Sequence, residues 1–134
     1  MLENKWALVV EDDAHNLLAI SGLLRDLGVR FKRNTTGANV LEQLRAMQPT
    51  PDFIILDVDL PHGDAFTIKE RLRADAKLRN IPVITIGEGA LADQPPQVLH
   101  AGFAGYIPKP LPRKRFGDII RRVLSGEQVW EVAV

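Results

Sequence analysis

The chain contains no cysteine, so neither a disulfide nor a thiolate metal site is available to it. It has no surplus of either charge, because 17 Lys plus Arg balance 17 Asp plus Glu. Attachment to nucleic acid by bulk charge is therefore disfavoured, since that mode needs excess cations to displace counterions. No apolar run approaches the roughly 20 residues of a membrane span. Glu3 and Trp6 interrupt the start before any small-residue cleavage site, so no signal peptide is expected. His15, His62 and His100 do not stand at metal-ligand spacing and read as surface or loop residues. Internal repeats and low-complexity segments are also missing. These absences lead us to expect a soluble cytoplasmic protein with no membrane and no direct nucleic-acid partner. Its 134 residues suffice for one domain with a real core. We assign residues 1–126 to that domain and 127–134 to a C-terminal tail or the start of a linker.

The most informative stretch is an apolar run, Phe53-Ile54-Ile55-Leu56, closed by Asp57 and followed by Val58-Asp59-Leu60-Pro61. Such a run ahead of turn residues reads as a fully buried strand of a parallel sheet. A carboxylate at its C-terminal end sits where open α/β sheets bind ligands. A second strand, 6–10, ends in Glu11-Asp12-Asp13, and a third segment, Gly105-Tyr106-Ile107, leads into Pro108-Lys109-Pro110. Three strands of one sheet can thus deliver acids and a lysine to one edge. Several carboxylates with one ammonium suit a hard divalent cation and a phosphoryl group.

Strands alternate with helices along the whole chain. The pattern predicts strands over 6–10, 29–32, 52–56, 82–86 and 105–107. It predicts helices over 14–27, 38–47, 65–74 and 113–124. Leu17, Ile20, Leu24 and Leu27 step by three and four, and Gly28 ends that helix. Pro49 and Pro51 stop the next one. The fourth of five helices is weak: Pro95-Pro96 fall where its first half belongs, so it is expected short, starting near Pro95. Residues 86–94, with Gly87 and Gly89, are then an irregular, mobile loop. Asp13 reads as the N-cap of the first helix, and Asp64 as a turn or cap residue of the third.

In this order, Val9-Val10-Glu11-Asp12, Asp57 with Pro61, Ile81-Pro82-Val83-Ile84 and Gly105-Tyr106-Ile107-Pro108-Lys109-Pro110 resemble the receiver domain of bacterial response regulators. The resemblance covers roughly residues 5–125. It implies a flavodoxin-like (βα)5 three-layer sandwich with parallel strand order 2-1-3-4-5. It implies that Asp57 accepts a phosphoryl group from a sensor histidine kinase or phosphotransfer protein. Asp12 and the Asp57 side chain would ligate Mg2+ with the Asp59 backbone carbonyl, and Glu11 would act through water. Lys109 would pair with Asp57 and then with the phosphoryl group, and in the family the peptide bond after this lysine is often cis. A downstream partner or fused output domain would use the face of helix four, strand five and helix five. Arg113, Lys114, Arg115, Arg121 and Arg122 make that last helix basic, which is a solvated face by default and a docking face in the sharper reading.

Two features depart from the pattern: Pro95-Pro96 in helix four and the end of strand four, both on the same output face. The family carries Thr or Ser at the end of strand four, and here the position is Gly87, with Glu88 after it. Thr85 lies two residues earlier, too far down a strand rising ~3.3 Å per residue to replace the hydroxyl. Loss of one charge-assisted hydrogen bond removes about 1.5–3 kcal/mol. In the family this hydroxyl couples the site to an inward-turning aromatic, here Tyr106. An alternative reading is therefore an interaction module of the receiver fold with weak or phosphorylation-independent switching. A third reading takes Asp57-Val58-Asp59 as resembling the Asp-x-Asp of haloacid-dehalogenase-type phosphatases, with Asp59 as general acid. Pro61 and the lack of room for a cap argue against it. The leading expectation is a signalling receiver, not an enzyme beyond its own phosphorylation chemistry.

Overall fold

A computed structural model of the chain describes residues 2–60, 65–88 and 102–131. Along β1 (Trp6–Val10) and β3 (Phe53–Asp57) successive residues point to opposite sides of one sheet. Leu8, Val10, Ile54 and Leu56 join one apolar cluster, while Ala7, Val9, Phe53 and Ile55 join the other. Both faces are thus covered, which a parallel sheet requires.

The remaining described elements are α1 (Ala14–Asp26), β2 (Arg30–Asn34), α2 (Val40–Ala46), α3 (Ala65–Arg73), β4 (Val83–Gly87), β5 (Gly105–Pro108), α4 (Phe116–Leu124) and β6 (Val129–Trp130). The helix α4 corresponds to the fifth helix of the sequence pattern. The expected short fourth helix, with Pro95 and Pro96, lies outside the described residues, as do His62, Asp64 and His100. So does the expected loop, apart from its first residues, 86–88.

The sheet order is β2-β1-β3-β4-β5-β6, and every neighbouring pair is parallel. The order 2-1-3-4-5 implied by the resemblance is present, with one strand added. Leu44 of α2 and Ile68 and Leu72 of α3 cover one face. Ile20 and Leu24 of α1 and Phe116, Ile119 and Ile120 of α4 cover the other. The result is a three-layer α/β/α sandwich. No helix among the described residues is long and apolar enough to cross a membrane.

Local chemistry sets the element ends. The Asp13 side chain accepts from the Asn16 N–H at 3.0 Å and caps α1. Gly28 takes a positive φ of 80° just beyond that helix, the left-handed conformation that ends it. The edge strand β2 exposes Arg30, Lys32 and Arg33, charges that discourage pairing with another sheet.

Several bounds differ from the sequence pattern. The strand β3 runs on to include Asp57, and β4 runs on to include Gly87, because both continue the parallel ladder. The last helix begins at Phe116 and not at residue 113. Residues 113–115 form a turn instead, closed by the Phe116 N–H donating to the Pro112 carbonyl at 2.9 Å. The strand β6 was not expected at all. It is two residues long, too short for any hydrophobic period to show, and it forms because an open β5 edge lies beside it.

The β6 strand is tied down by main-chain bonds from Val129 N–H to the Ala104 carbonyl and from Glu131 N–H to the Tyr106 carbonyl, both 3.0 Å. Gly105 permits this approach: a Cβ there would lie 2.8 Å from the Val129 carbonyl oxygen. We expect Gly105→Ala to push β6 off the sheet and to lower the stability in urea unfolding by about 1–3 kcal/mol, the usual range for overpacking. An unchanged unfolding midpoint would show that β6 does not contribute to the fold.

Candidate functional site

The C-terminal ends of β1, β3 and β5 meet at one edge of the sheet, where open α/β folds place their sites. From β1 comes Glu11, followed by Asp12; from β3 comes Asp57; from β5 comes Lys109. Ligand oxygens of Glu11, Asp12 and Asp57 all lie within 4.8 Å of one another. The Lys109 Nζ stands 3.2 Å from Asp57 Oδ2 and 3.6 Å from Glu11 Oε2. Glu11 and Asp57 are buried, Lys109 is nearly so, and Asp12 is exposed. The Lys109–Pro110 peptide bond is cis.

Two buried carboxylates therefore face one ammonium. Burial pushes the Glu11 carboxyl up, and the neighbouring Asp57 carboxylate adds to the effect; the Asp13 N–H and Lys109 offset only part of it. Its pKa is raised from 4.5 to about 7. Burial alone would push the Lys109 ammonium down, but the Asp57 and Glu11 charges outweigh it and hold Lys109 above its ordinary value. Glu11 Oε1 accepts from the Asp13 N–H at 3.1 Å, while the buried Oε2 has no hydrogen-bond partner among the described residues.

Asp57 Oδ1 accepts from the Asp59 N–H at 2.9 Å, so the turn after β3 fixes the carboxylate from its own strand. The Asp59 side chain turns elsewhere, accepting from the Glu88 N–H through Oδ2 at 3.2 Å.

Gly87 and Tyr106, singled out from the sequence, lie together beside this cluster. Tyr106 is fully buried, and its hydroxyl donates to the Gly87 carbonyl at 3.1 Å. Burial, with the nearby Asp59 charge, raises its pKa and keeps it a donor. Thr85 is buried lower on the strand, and its hydroxyl donates to the Gly105 carbonyl at 3.0 Å instead of reaching the site. Gly87 has no positive φ. What its missing side chain makes room for is Val58, whose Cγ2 occupies the place where a Cβ would stand.

Two participants escaped the sequence reading. Val58 follows Asp57 immediately, but its nearness to Gly87 depends on sheet register, with Val58 N–H bonded to the Ile86 carbonyl at 2.9 Å. Trp130 stacks on Tyr106 with ring centroids 4.8 Å apart, a contact that depends on β6. The basic residues of the last helix are partly neutralised: Arg115 pairs with Glu131 at 3.2 Å and Arg122 with Glu127 at 2.6 Å. His15 is exposed, as expected.

The raised Glu11 pKa makes a testable contribution to stability. A group that binds its proton more tightly when folded stabilises the fold below its unfolded pKa, and that contribution is lost as pH rises through the folded value. In metal-free protein with EDTA, wild type should therefore lose up to about 3 kcal/mol relative to Glu11→Gln between pH 4.5 and about 7. Paired urea titrations across that window measure it; a flat difference would mean that Glu11 ionises freely.

The response regulator receiver domain family model matches residues 7–121. The polar-differentiation response regulator DivK of Brucella ovis is 29% identical over 121 residues, spanning 90% of this chain and 97% of the relative. A putative response regulator of Chloroflexus aurantiacus superposes with a TM-score of 0.81 at 24% identity, covering 90% of this chain and 98% of its own, a likeness of fold. The receiver domain of a Pseudomonas aeruginosa sensor histidine kinase has a TM-score of 0.78 at 28% identity and covers 91% of this chain and 98% of its own. That structure holds a magnesium ion coordinated in its active-site cleft. With its sheet order, its convergent acids and a family match over most of its length, the chain belongs to the response regulator receiver domains of two-component signalling.

Proposed function

We propose that this receiver accepts a phosphoryl group on Asp57 from a phosphohistidine of a sensor histidine kinase or phosphotransfer protein. It then signals in the cytoplasm to a downstream protein partner or fused output domain. The P–N bond of the donor breaks as a P–O bond to an Asp57 oxygen forms, and the imidazole leaves and takes up a proton. The observation that carries the reading is Asp57 held 3.2 Å from the Lys109 ammonium among Glu11 and Asp12.

The residues present fit Mg2+. Among the described residues every donor is oxygen, and the chain has no thiolate, which suits a hard cation. The orphaned, buried Glu11 Oε2 is an acceptor that a water on such an ion would satisfy. Asp12, the Asp57 carboxylate and the Asp59 backbone carbonyl would hold the ion, with Glu11 acting through water. When bound, it neutralises the charge that builds between the incoming phosphoryl group and the carboxylate. The protein's own groups do the rest. The Asp59 N–H orients the acceptor carboxylate, and Lys109 supplies a point charge able to serve Asp57 before transfer and a phosphoryl oxygen after it.

A second reading, a module with weak switching, is favoured by Val58 filling the space beside Gly87. No hydroxyl can reach the phosphoryl group from that position. The phosphatase reading draws no support from the receiver family match, and the Asp59 carboxylate is engaged by the Glu88 N–H.

Acetyl phosphate with Mg2+ should add one phosphoryl group, read by mass spectrometry, and Asp57→Asn should abolish it. Asp12→Ala should weaken Mg2+ binding by at least about tenfold, while Lys109→Ala should keep Mg2+ binding and impair phosphorylation. A stable adduct on Asp57→Asn would remove Asp57 from the acceptor role.

Gly87→Thr should destabilise the protein by about 1–3 kcal/mol through collision with Val58 and not through backbone strain. Adding Val58→Ala should recover part of that loss, so the double variant is more stable than the sum of the two single effects. Strict additivity in urea unfolding would contradict the collision.

A further inference from the structure

The site, Tyr106 and the C-terminal strand are joined through a single peptide unit. The peptide bond between Gly87 and Glu88 is a rigid plane with a donor at one end and an acceptor at the other. Its N–H, from Glu88, donates to Asp59 Oδ2 at 3.2 Å, at the rim of the acid cluster. Its carbonyl, from Gly87, accepts from the Tyr106 hydroxyl at 3.1 Å and from the Lys109 N–H at 2.9 Å. The plane cannot tilt at one end without moving the other.

Tyr106 in turn holds β6. Its ring stacks on Trp130, and its carbonyl accepts from the Glu131 N–H at 3.0 Å. The attachment of β6 is short: two residues stand in the ladder, Val129 is buried in the core, and one ion pair, Arg115–Glu131, lies beside it. The buried Trp130 Nε1 has no hydrogen-bond partner among the described residues. A two-residue edge strand is an element that can exchange between two states, docked and released.

We infer that β6 is the output element of this receiver, and that the Gly87–Glu88 peptide unit transmits the state of Asp57 to it through Tyr106 and Trp130. This rests on the phosphoacceptor reading of Asp57. A phosphoryl group there brings oxygen acceptors into competition with Asp59 Oδ2 for the Glu88 N–H. As that N–H turns toward Asp57, the Gly87 carbonyl turns away from the Tyr106 hydroxyl. Tyr106 loses its anchor, the stack with Trp130 loosens, and β6 leaves the β5 edge. The side-chain hydroxyl absent at residue 87 is not needed for this route, because the main chain carries the signal.

The protein has two tryptophans, which makes the test direct. Trp6 opens β1 and serves as an internal reference for Trp130. The full chain is labelled with 15N and treated with Mg2+ and beryllofluoride, with bound fluoride followed by 19F NMR. The Trp130 indole resonance should shift while that of Trp6 stays in place. Hydrogen exchange of the Glu131 and Val129 amides should quicken severalfold against the Ile54 amide. In Tyr106→Phe, which keeps the ring and removes the hydroxyl, the bound-fluoride signal should persist and the Trp130 shift should be lost.

Bound fluoride in wild type with Trp130 unmoved, or with Glu131 exchange unchanged or slower, overturns the inference and leaves the phosphoacceptor reading intact. A full Trp130 response in Tyr106→Phe also overturns it. If that variant does not fold, the wild-type exchange data decide alone. Absence of bound fluoride in wild type removes the phosphoacceptor reading and this inference together.

Discussion

The structure turns on the burial of two carboxylates against one ammonium. Glu11 and Asp57 are both removed from water, and Lys109 is the cation that reaches both. Buried charge is tolerable only when it is paired and hydrogen-bonded. The ends of β1, β3 and β5 lie at one edge of the parallel sheet, and there the three side chains meet. Burial, with the Asp57 carboxylate beside it, makes Glu11 hold its proton to about pH 7. The carboxylate oxygens gathered there suit a hard cation.

What surrounds this cluster is unusual at a single residue. Glycine at position 87 removes a side chain from the rim, and Val58 fills the vacated space with apolar surface. Tyr106 is nonetheless turned inward and bonded, to a backbone carbonyl and not to a side chain. Main-chain contacts thus stand where a side-chain contact would serve in the family pattern. Main-chain groups move only with their peptide plane, so the two ends of the Gly87–Glu88 unit move together.

The far end of that link is the least expected part of the fold. An edge strand presents unpaired N–H and C=O groups and invites pairing. At β2 the chain protects its edge with exposed Arg30, Lys32 and Arg33. At β5 it uses its own C-terminal residues instead, covering the edge with β6 and placing Trp130 on Tyr106. A cover made from the same chain can be removed, whereas a row of charges cannot.

The strands and most helices were legible in the sequence because their signals are local. The buried run ending at Asp57, the stepped apolar positions of α1, the Asp13 cap and the Gly28 stop each depend on residues within a few positions. The site residues were legible for a related reason: in a parallel α/β sheet the residues after each strand share one edge, so strand order suffices to gather Glu11, Asp12, Asp57 and Lys109. The contacts decided by register were not legible. Val58 meets Gly87 only because β3 and β4 are aligned so that Asp57 lies opposite Ile86. Trp130 meets Tyr106 only because an open edge accepts two residues too few to show a period. The shift of the Glu11 carboxyl likewise comes from burial and from neighbours distant in sequence. Sequence alone determines which elements form and which chemistry they carry. The meeting of elements across the sheet decides how those groups are charged, what replaces a missing side chain, and where a signal can leave.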